Sequence, residues 1–243
     1  MFIEIYKDPT TLGLAEAKRI AALLKKKPDA LLCLAAGQSA ICVFDHLIEM
    51  NRKGEVDFSQ ARIVGLDEWC DYPEYEGTAG WILDNSLFNH ININRSHMRM
   101  FHSNPKDPEA ECREVENFID ANGGIDYIIL GVGMNGHVAL NEPGVDLNIG
   151  AHVATLAEKT KEVSAKYFEN GMPPITRGLT LGYKNIFAAR DIVVILNGAH
   201  KAPIVKSLME KPITNEFPVT NIKSCDSARI VMDQAAAKDF YRV

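Results

Sequence analysis

The residues best equipped to do chemistry crowd into one stretch, Gly131 to Gly144, which reads GVGMNGHVALNEPG. It holds an imidazole (His137), a carboxylate (Glu142), two carboxamides (Asn135 and Asn141) and glycines at 131, 133, 136 and 144. An imidazole titrates close to neutral pH, and a neighbouring carboxylate can orient it and stabilise its cation. Glycines at a strand's end let backbone N–H groups approach a ligand closely, because no Cβ intervenes. These are the parts of an acid/base site. A glycine-rich strand exit with one structural histidine has the same parts, so the pattern alone leaves both readings open.

Three further places carry chemistry-bearing residues. Asp67-Glu68-Trp69 ends a strand expected over 62–66. Paired acids there can simply solvate a loop, or one of them, beside an aromatic ring, can have the raised proton affinity of a general base. Ala36-Gly37-Gln38-Ser39-Ala40 links an apolar strand to an apolar helix. Strand–glycine loop–helix turns free N–H groups and the helix dipole toward an anion, although a tight turn would look alike and no GK[ST] of a Walker A loop follows. Lys201 opens a helix after Asn197-Gly198. A solvated helix start is the plainer reading of the residues alone, although a cation is unfavourable at a helix N-terminus and one placed there can reach an anion held at the same sheet edge. His90, His97 and His102 lie in a polar connection with no metal-ligand spacing, and they are read as surface residues with no metal.

These residues must be held by something, and the chain supplies alternating strands and helices. Expected strands cover 2–6, 30–35, 62–66, 125–130, 192–196 and 229–232, with one more before 155 and a strand-like start at 177. Between them run helices from Asp8-Pro9-Thr10 to the 25–27 lysines, over 41–50, 81–88, 108–121, 158–168 and 201–209, and a last one over 235–241. Asp71–Thr78 is expected to be a loop. This alternation implies an α/β fold with a mostly parallel sheet and helices on both faces. The loops after residues 35, 66 and 130 all follow strands, so they can meet at one carboxyl edge, where open α/β sheets bind ligands. No dinucleotide fingerprint is complete: the Gly131-x-Gly133 run lacks a helix opening and a downstream ribose acid.

The 243 residues suit one large α/β domain or two small ones, and 47% hydrophobic content is ordinary for a soluble globular protein. A formal charge of −6 argues against nucleic-acid binding through bulk electrostatics, so any anionic ligand needs a local basic cluster. Five scattered cysteines without a CxxC pair fit free thiols in a reducing compartment. The N-terminus MFIEIYKDP reads as a strand, not a signal peptide, and no apolar run has the length of a membrane helix. The expectation is a cytoplasmic protein with neither nucleic-acid nor membrane partners.

The stretch GVGMNGHVALNEPG resembles the signature of the glucosamine-6-phosphate deaminases (hexosamine-6-phosphate isomerase/deaminases), whose pattern is close to GxGxxGHxxxNEPG. The related 6-phosphogluconolactonases keep the glycines and the histidine but lack the NEP element. Other stretches are similar too, and the resemblance runs from about residue 10 to 235. Leu66-Asp67-Glu68-Trp69 matches LDEY with Trp for Tyr, and Gly198-Ala199-His200-Lys201 matches a G-x-x-K phosphate motif. Lys166-Tyr167-Phe168 stands where an RFF-like triplet supplies a second phosphate contact. The phosphate loop, usually TGSTP or TGSSP, keeps Gly37 and Ser39 but has Ala36, Gln38 and Ala40, and Ala79-Gly80-Trp81 replaces a Ser-Tyr start.

What the resemblance implies is a Rossmann-like single domain over 1–243 that converts glucosamine 6-phosphate and water to fructose 6-phosphate and ammonia, with no cofactor. Asp67 would move the C2 proton, His137 with Glu142 would open the sugar ring, and Asn135 would position the imidazole or a hydroxyl. Gly37, Gln38, Ser39, Gly131, Lys166 and Lys201 would bind the substrate and its phosphate. The departures keep two alternatives open: the same reaction on galactosamine 6-phosphate, giving tagatose 6-phosphate, or a sugar-phosphate-binding regulator without catalysis. Some family members are hexamers activated by an N-acetylated amino-sugar phosphate. The positions of that effector site read Val145, Asp146 and His152-Val153-Ala154-Thr155 here, without its cations. A monomer or small oligomer without that activation is therefore expected.

Overall fold

Strand and helix boundaries follow the local chemistry of the chain closely. In the computed structural model, which describes residues 1–168 and 173–240 apart from the Lys166 side chain, β1 (Phe2–Tyr6) leads to α1 (Pro9–Lys26). Asp8 caps α1, accepting from Thr11 N at 2.8 Å, Pro9 takes the first turn, and Lys25 and Lys26 close it. Then come β2 (Leu31–Leu34), α2 (Ile41–Arg52), β3 (Arg62–Val64), β4 (Asp67–Cys70), α3 (Ala79–Ser86) and β5 (Met98–Arg99). The chain continues through α4 (Pro108–Ala121), β6 (Tyr127–Leu130), β7 (His152–Thr155), α5 (Glu158–Ser164) and β8 (Arg177–Thr180). It ends with α6 (Tyr183–Phe187), β9 (Ile192–Leu196), α7 (Ala202–Glu210), β10 (Ala228–Asp233) and α8 (Gln234–Ala237).

Seven strands form one sheet in the order β1-β10-β9-β6-β2-β3-β5, and every pairing in it is parallel. Strands buried on both faces alternate between two cores. Leu31, Cys33, Ile128, Leu130, Ile192 and Val194 face α4, α6 and α7. Leu32, Leu34, Tyr127, Ile129, Val193 and Ile195 face α1 and α2. The expected two-faced parallel fold is what the chain forms. No helix among the described residues is long and apolar enough to cross a membrane.

Two elements depart from expectation. Asp67-Glu68-Trp69 is not the end of a strand but the start of another. Gly65 and Leu66 interrupt β3, and β4 leaves the main sheet to pair antiparallel with β8, Asp67 opposite Thr180. β8 also pairs with β7, which makes a three-stranded antiparallel sheet in the order β4-β8-β7. Trp69, Leu140, Ala154, Leu156 and Ile175 pack into its own small core. The helix expected over 158–168 also stops early: α5 ends at Ser164 and Ala165–Tyr167 is a 3-10 turn. The expected end of the last helix, Tyr241, lies outside the described residues.

Candidate active site

The centre of the main sheet explains why distant residues meet. In the run β9-β6-β2-β3, four neighbouring parallel strands each send a loop over the same carboxyl edge. The chain moves outward from β2 through β3 to β5, then returns to the other side of β2 for β6 and β9, so the crevice opens at the switch point between β2 and β6. A cleft of about 190 Å³ lies there. Its walls include Gly37, Gln38 and Ser39 after β2, Asp67 after β3, Gly131, Asn135 and His137 after β6, and Lys201 after β9. Every expected site residue but two therefore lines one cavity. Glu142 stands behind the wall and acts through hydrogen bonds, and the Lys166 side chain falls outside the described residues.

The stretch after β6 is a compact loop held by its own bridges. Val138 pairs with Val132 and Asn141, and Gly133 N donates to His137 O at 2.9 Å. A Cβ at residue 133 would sit 2.2 Å from the His137 ring, so glycine here makes room for the imidazole. Gly136 turns at φ +84 against the Phe217 ring, a conformation and a contact that only glycine accepts. Asn141 is fully buried and donates to Val138 O and Leu181 O at 2.9 and 2.8 Å, which ties the loop to the chain beyond β8. Gly37 and Gly131 differ: a Cβ at either meets nothing within 4 Å, so their lack of a side chain leaves space in the cleft itself.

Glu142 is surrounded by donors. Asn135 Nδ2 donates to Oε2 at 2.7 Å, and Thr160 Oγ1 and Ala157 N donate to Oε1 at 2.5 and 3.2 Å. His137 Nδ1 lies 3.5 Å from Oε2 and 3.1 Å from Thr160 Oγ1. Burial opposes the charge on Glu142, but the bonds from His137, Thr160 and Asn135 outweigh it and pull its pKa down to about 2. The same contacts assign the imidazole tautomer. Thr160 gives its single proton to Glu142, so its oxygen can only accept from His137. The ring proton therefore sits on Nδ1, and Nε2 is left to exchange protons.

Asp67 has the opposite surroundings. Removal from water pushes its pKa up to about 6, and the charge of nearby His137 pulls the other way. Tyr167 lines the same cleft, and burial followed by the negative charge of Asp67 raises its phenol pKa. At the far end, Lys201 Nζ donates to Val132 O at 2.6 Å, which anchors the lysine over the loop after β6. Asn197 Nδ2 reaches Ser39 O at 3.2 Å and joins the loops after β9 and β2.

Sequence reasoning missed Thr160, Lys159 and His200, all of which line the cleft. His200 adjoins Lys201 within the G-x-x-K run and could have been noticed there. Thr160 has no local signal, because its role depends on α5 folding back over the loop after β6. Among the three histidines read as surface residues, His90 and His102 are exposed while His97 is half-buried.

The model of the glucosamine-6-phosphate isomerase/6-phosphogluconolactonase family matches residues 10–232. The chain is 33% identical over 239 residues to the glucosamine-6-phosphate deaminase of Clostridium perfringens, covering 98% of this chain and 99% of that one. It is 36% identical over 223 residues to the glucosamine-6-phosphate deaminase of Clostridium tetani, covering 91% and 92%. Among solved structures, a monomeric glucosamine-6-phosphate deaminase matches with a TM-score of 0.93 at 30% identity, covering 98% of this chain and 99% of that one. A 6-phosphogluconolactonase from Leishmania guyanensis shares the fold at a TM-score of 0.76 and 16% identity, covering 99% of each chain.

Proposed function

The chain belongs to the family of glucosamine-6-phosphate isomerases and 6-phosphogluconolactonases, and on that premise we propose that residues 1–243 act as one glucosamine-6-phosphate deaminase. It converts glucosamine 6-phosphate and water to fructose 6-phosphate and ammonia. The observation that carries this reading is the setting of Glu142, the acid of the NEPG element. It holds His137 in the Nδ1–H form, with Thr160 and Asn135 completing its shell.

In this reading His137 Nε2 shuttles the proton between the ring oxygen and O1 as the sugar opens, and Glu142 stabilises the imidazolium that forms. Asp67 then takes the C2 proton and returns a proton to C1. As the C2 proton leaves, its electron pair forms a C1=C2 double bond, the carbonyl pair moves to O1, and O1 takes a proton from His137. The returned proton then bonds C1 through the C1=C2 pair while the nitrogen lone pair forms the C2 iminium. Water adds to the iminium and ammonia leaves. A carboxyl that ionises near pH 6 suits a base that must both accept and release a proton near neutrality. Lys201, Gly37, Gln38 and Ser39 line the cleft and would hold the phosphate, and Asn135 would fix the imidazole side.

Two features support a second reading, the same reaction on galactosamine 6-phosphate. Ala36, Gln38 and Ala40 of the phosphate loop line the cleft, as does Ala79 at the altered start of α3. Ammonia release from the two epimers tests both readings. Faster turnover of the glucosamine epimer is expected, and faster turnover of the galactosamine epimer would favour the second. The monomeric relative and the missing effector cations support a monomer with hyperbolic kinetics that N-acetylglucosamine 6-phosphate leaves unchanged. Release of no ammonia from either epimer would leave the sugar-phosphate-binding regulator.

A further inference from the structure

β4 presents its side chains alternately to its two faces. Asp67 enters the cleft, and the next residue, Glu68, turns to the start of α3. Glu68 is 4% exposed, and each of its oxygens meets backbone donors. Oε1 accepts from Trp69 N at 2.8 Å and Ala79 N at 2.9 Å, and Oε2 accepts from Gly80 N at 3.0 Å. Thr78 caps the same helix, accepting from Trp81 N at 3.0 Å. This helix end matters to the site because Ala79 and Ile82 form part of the cleft wall. Behind the wall is a second cavity of about 370 Å³, which Glu68, Thr78 and Gly80 also line. The start of α3 thus stands between two spaces: Leu83 anchors the helix in the core, and the Thr78 cap and the bonds to Glu68 hold its first turn.

We infer that Glu68 is a positioning residue: its carboxylate pins the start of α3, and with it one wall of the cleft, in register with Asp67 on the adjacent position of β4. As a role in catalysis this rests on the deaminase reading. All three hydrogen-bond partners of the Glu68 side chain are donors, so the ionised carboxylate holds them most strongly. A proton on Glu68 weakens these bonds and adds an O–H that finds no acceptor among the three groups. Burial raises its pKa to about 7 against the pull of the Gly80, Ala79 and Trp69 N–H groups, and the charge of Asp67 raises it further. Across the rear cavity Glu68 faces Tyr75, Asp84, Arg95 and His102, and it also lines the cleft that holds His137, Lys159, Tyr167, His200 and Lys201. Tyr75 and Arg95 both bond to Asp84, so that charge is already matched. The pinned wall is therefore tightest above neutral pH and loosens below it.

The chain's two tryptophans, Trp69 and Trp81, flank this joint and report on it without substrate. Intrinsic fluorescence of the parent and of Glu68→Gln should be followed from pH 5 to pH 9, together with kcat for ammonia release. The parent should show a fluorescence change centred near pH 7 that Glu68→Gln lacks. The variant should lose about 10- to 100-fold in kcat at pH 8, the scale of a small misplacement at a reacting centre. Its kcat should also depend on one ionisation fewer between pH 5 and pH 8. Fluorescence and kcat–pH curves that superimpose on those of the parent would overturn the inference, whatever the melting temperatures. Should Glu68→Gln not fold, a parent fluorescence that stays flat from pH 5 to pH 9 overturns it alone. A parent that releases no ammonia refutes the deaminase reading, while the fluorescence still decides whether Glu68 governs the wall.

Discussion

Glu142 and Asp67 both lie within electrostatic reach of His137, yet the fold treats them in opposite ways. Around Glu142 it gathers donors from the loop after β6 and from α5, and these overcome burial and hold the carboxylate ionised down to about pH 2. Around Asp67 burial dominates, and the carboxyl gives up its proton only near pH 6. One acid keeps its charge through the neutral range and the other changes protonation close to it. The lesson is that identical chemistry is divided into two roles by the supply of hydrogen-bond donors, not by residue type.

The division breaks most completely at the exchanging acid. Asp67→Asn should lower kcat by about 10³-fold or more, the upper range for a general base, while sugar-phosphate affinity stays within a few-fold. Activity within tenfold of the parent would remove Asp67 from the chemistry. Glu142→Gln tests the other half. Its amide would face groups that themselves donate, so about a 100-fold loss of kcat is expected, with an imidazole that no longer keeps its proton on Nδ1. Proton NMR of the His137 ring checks the tautomer directly.

Smaller effects sharpen the comparison. Lys201→Ala should weaken phosphate binding by about 1–3 kcal/mol and raise KM with little change in kcat, because its charge acts on the ground state and transition state alike. An unchanged KM would place the phosphate elsewhere. Stability should separate the two acids by sign. Asp67 has a folded pKa above its unfolded value, so its contribution is full below about pH 4 and is lost as pH rises through 6. Glu142 has a folded pKa below its unfolded value, so its contribution is present above about pH 4.5 and is lost as pH falls through 2. Asp67→Asn should therefore melt higher than the parent at pH 8, by up to about 1–3 kcal/mol in stability, and the gain should vanish at pH 4. A variant less stable than the parent at pH 8 would contradict the destabilisation of the Asp67 charge by its surroundings.

Much of this arrangement was legible in the chain because strand ends announce themselves. Apolar runs stop at Ala35, Leu130 and Leu196, and glycine follows within two residues of each, so the loops that converge were identified from local chemistry. The four-strand run that unites them follows from parallel α/β topology. What stayed hidden depends on partners far along the chain. β4 pairs with β8 across more than a hundred residues, and no local pattern announces that Asp67 begins a strand of a second sheet. Thr160 on α5 meets Glu142 only after α5 has packed over the loop that follows β6. Glu68 looked like half of an acidic pair, and its bonds to α3 exist only once the helix has docked. Lys201 was expected to face an anion, and its bond to Val132 O, an anchor within the site, could not be read from a G-x-x-K pattern.

The central claim is that one acid of the site titrates near neutrality while the other does not. Carboxyl carbon NMR on protein labelled at aspartate and glutamate side chains, titrated from pH 3 to pH 8, measures this directly, with Asp67→Asn and Glu142→Gln identifying the two signals. The Asp67 carboxyl should ionise near pH 6, and that of Glu142 should stay ionised across the whole range. An Asp67 midpoint near pH 4, or a Glu142 signal that titrates with it, would contradict the account.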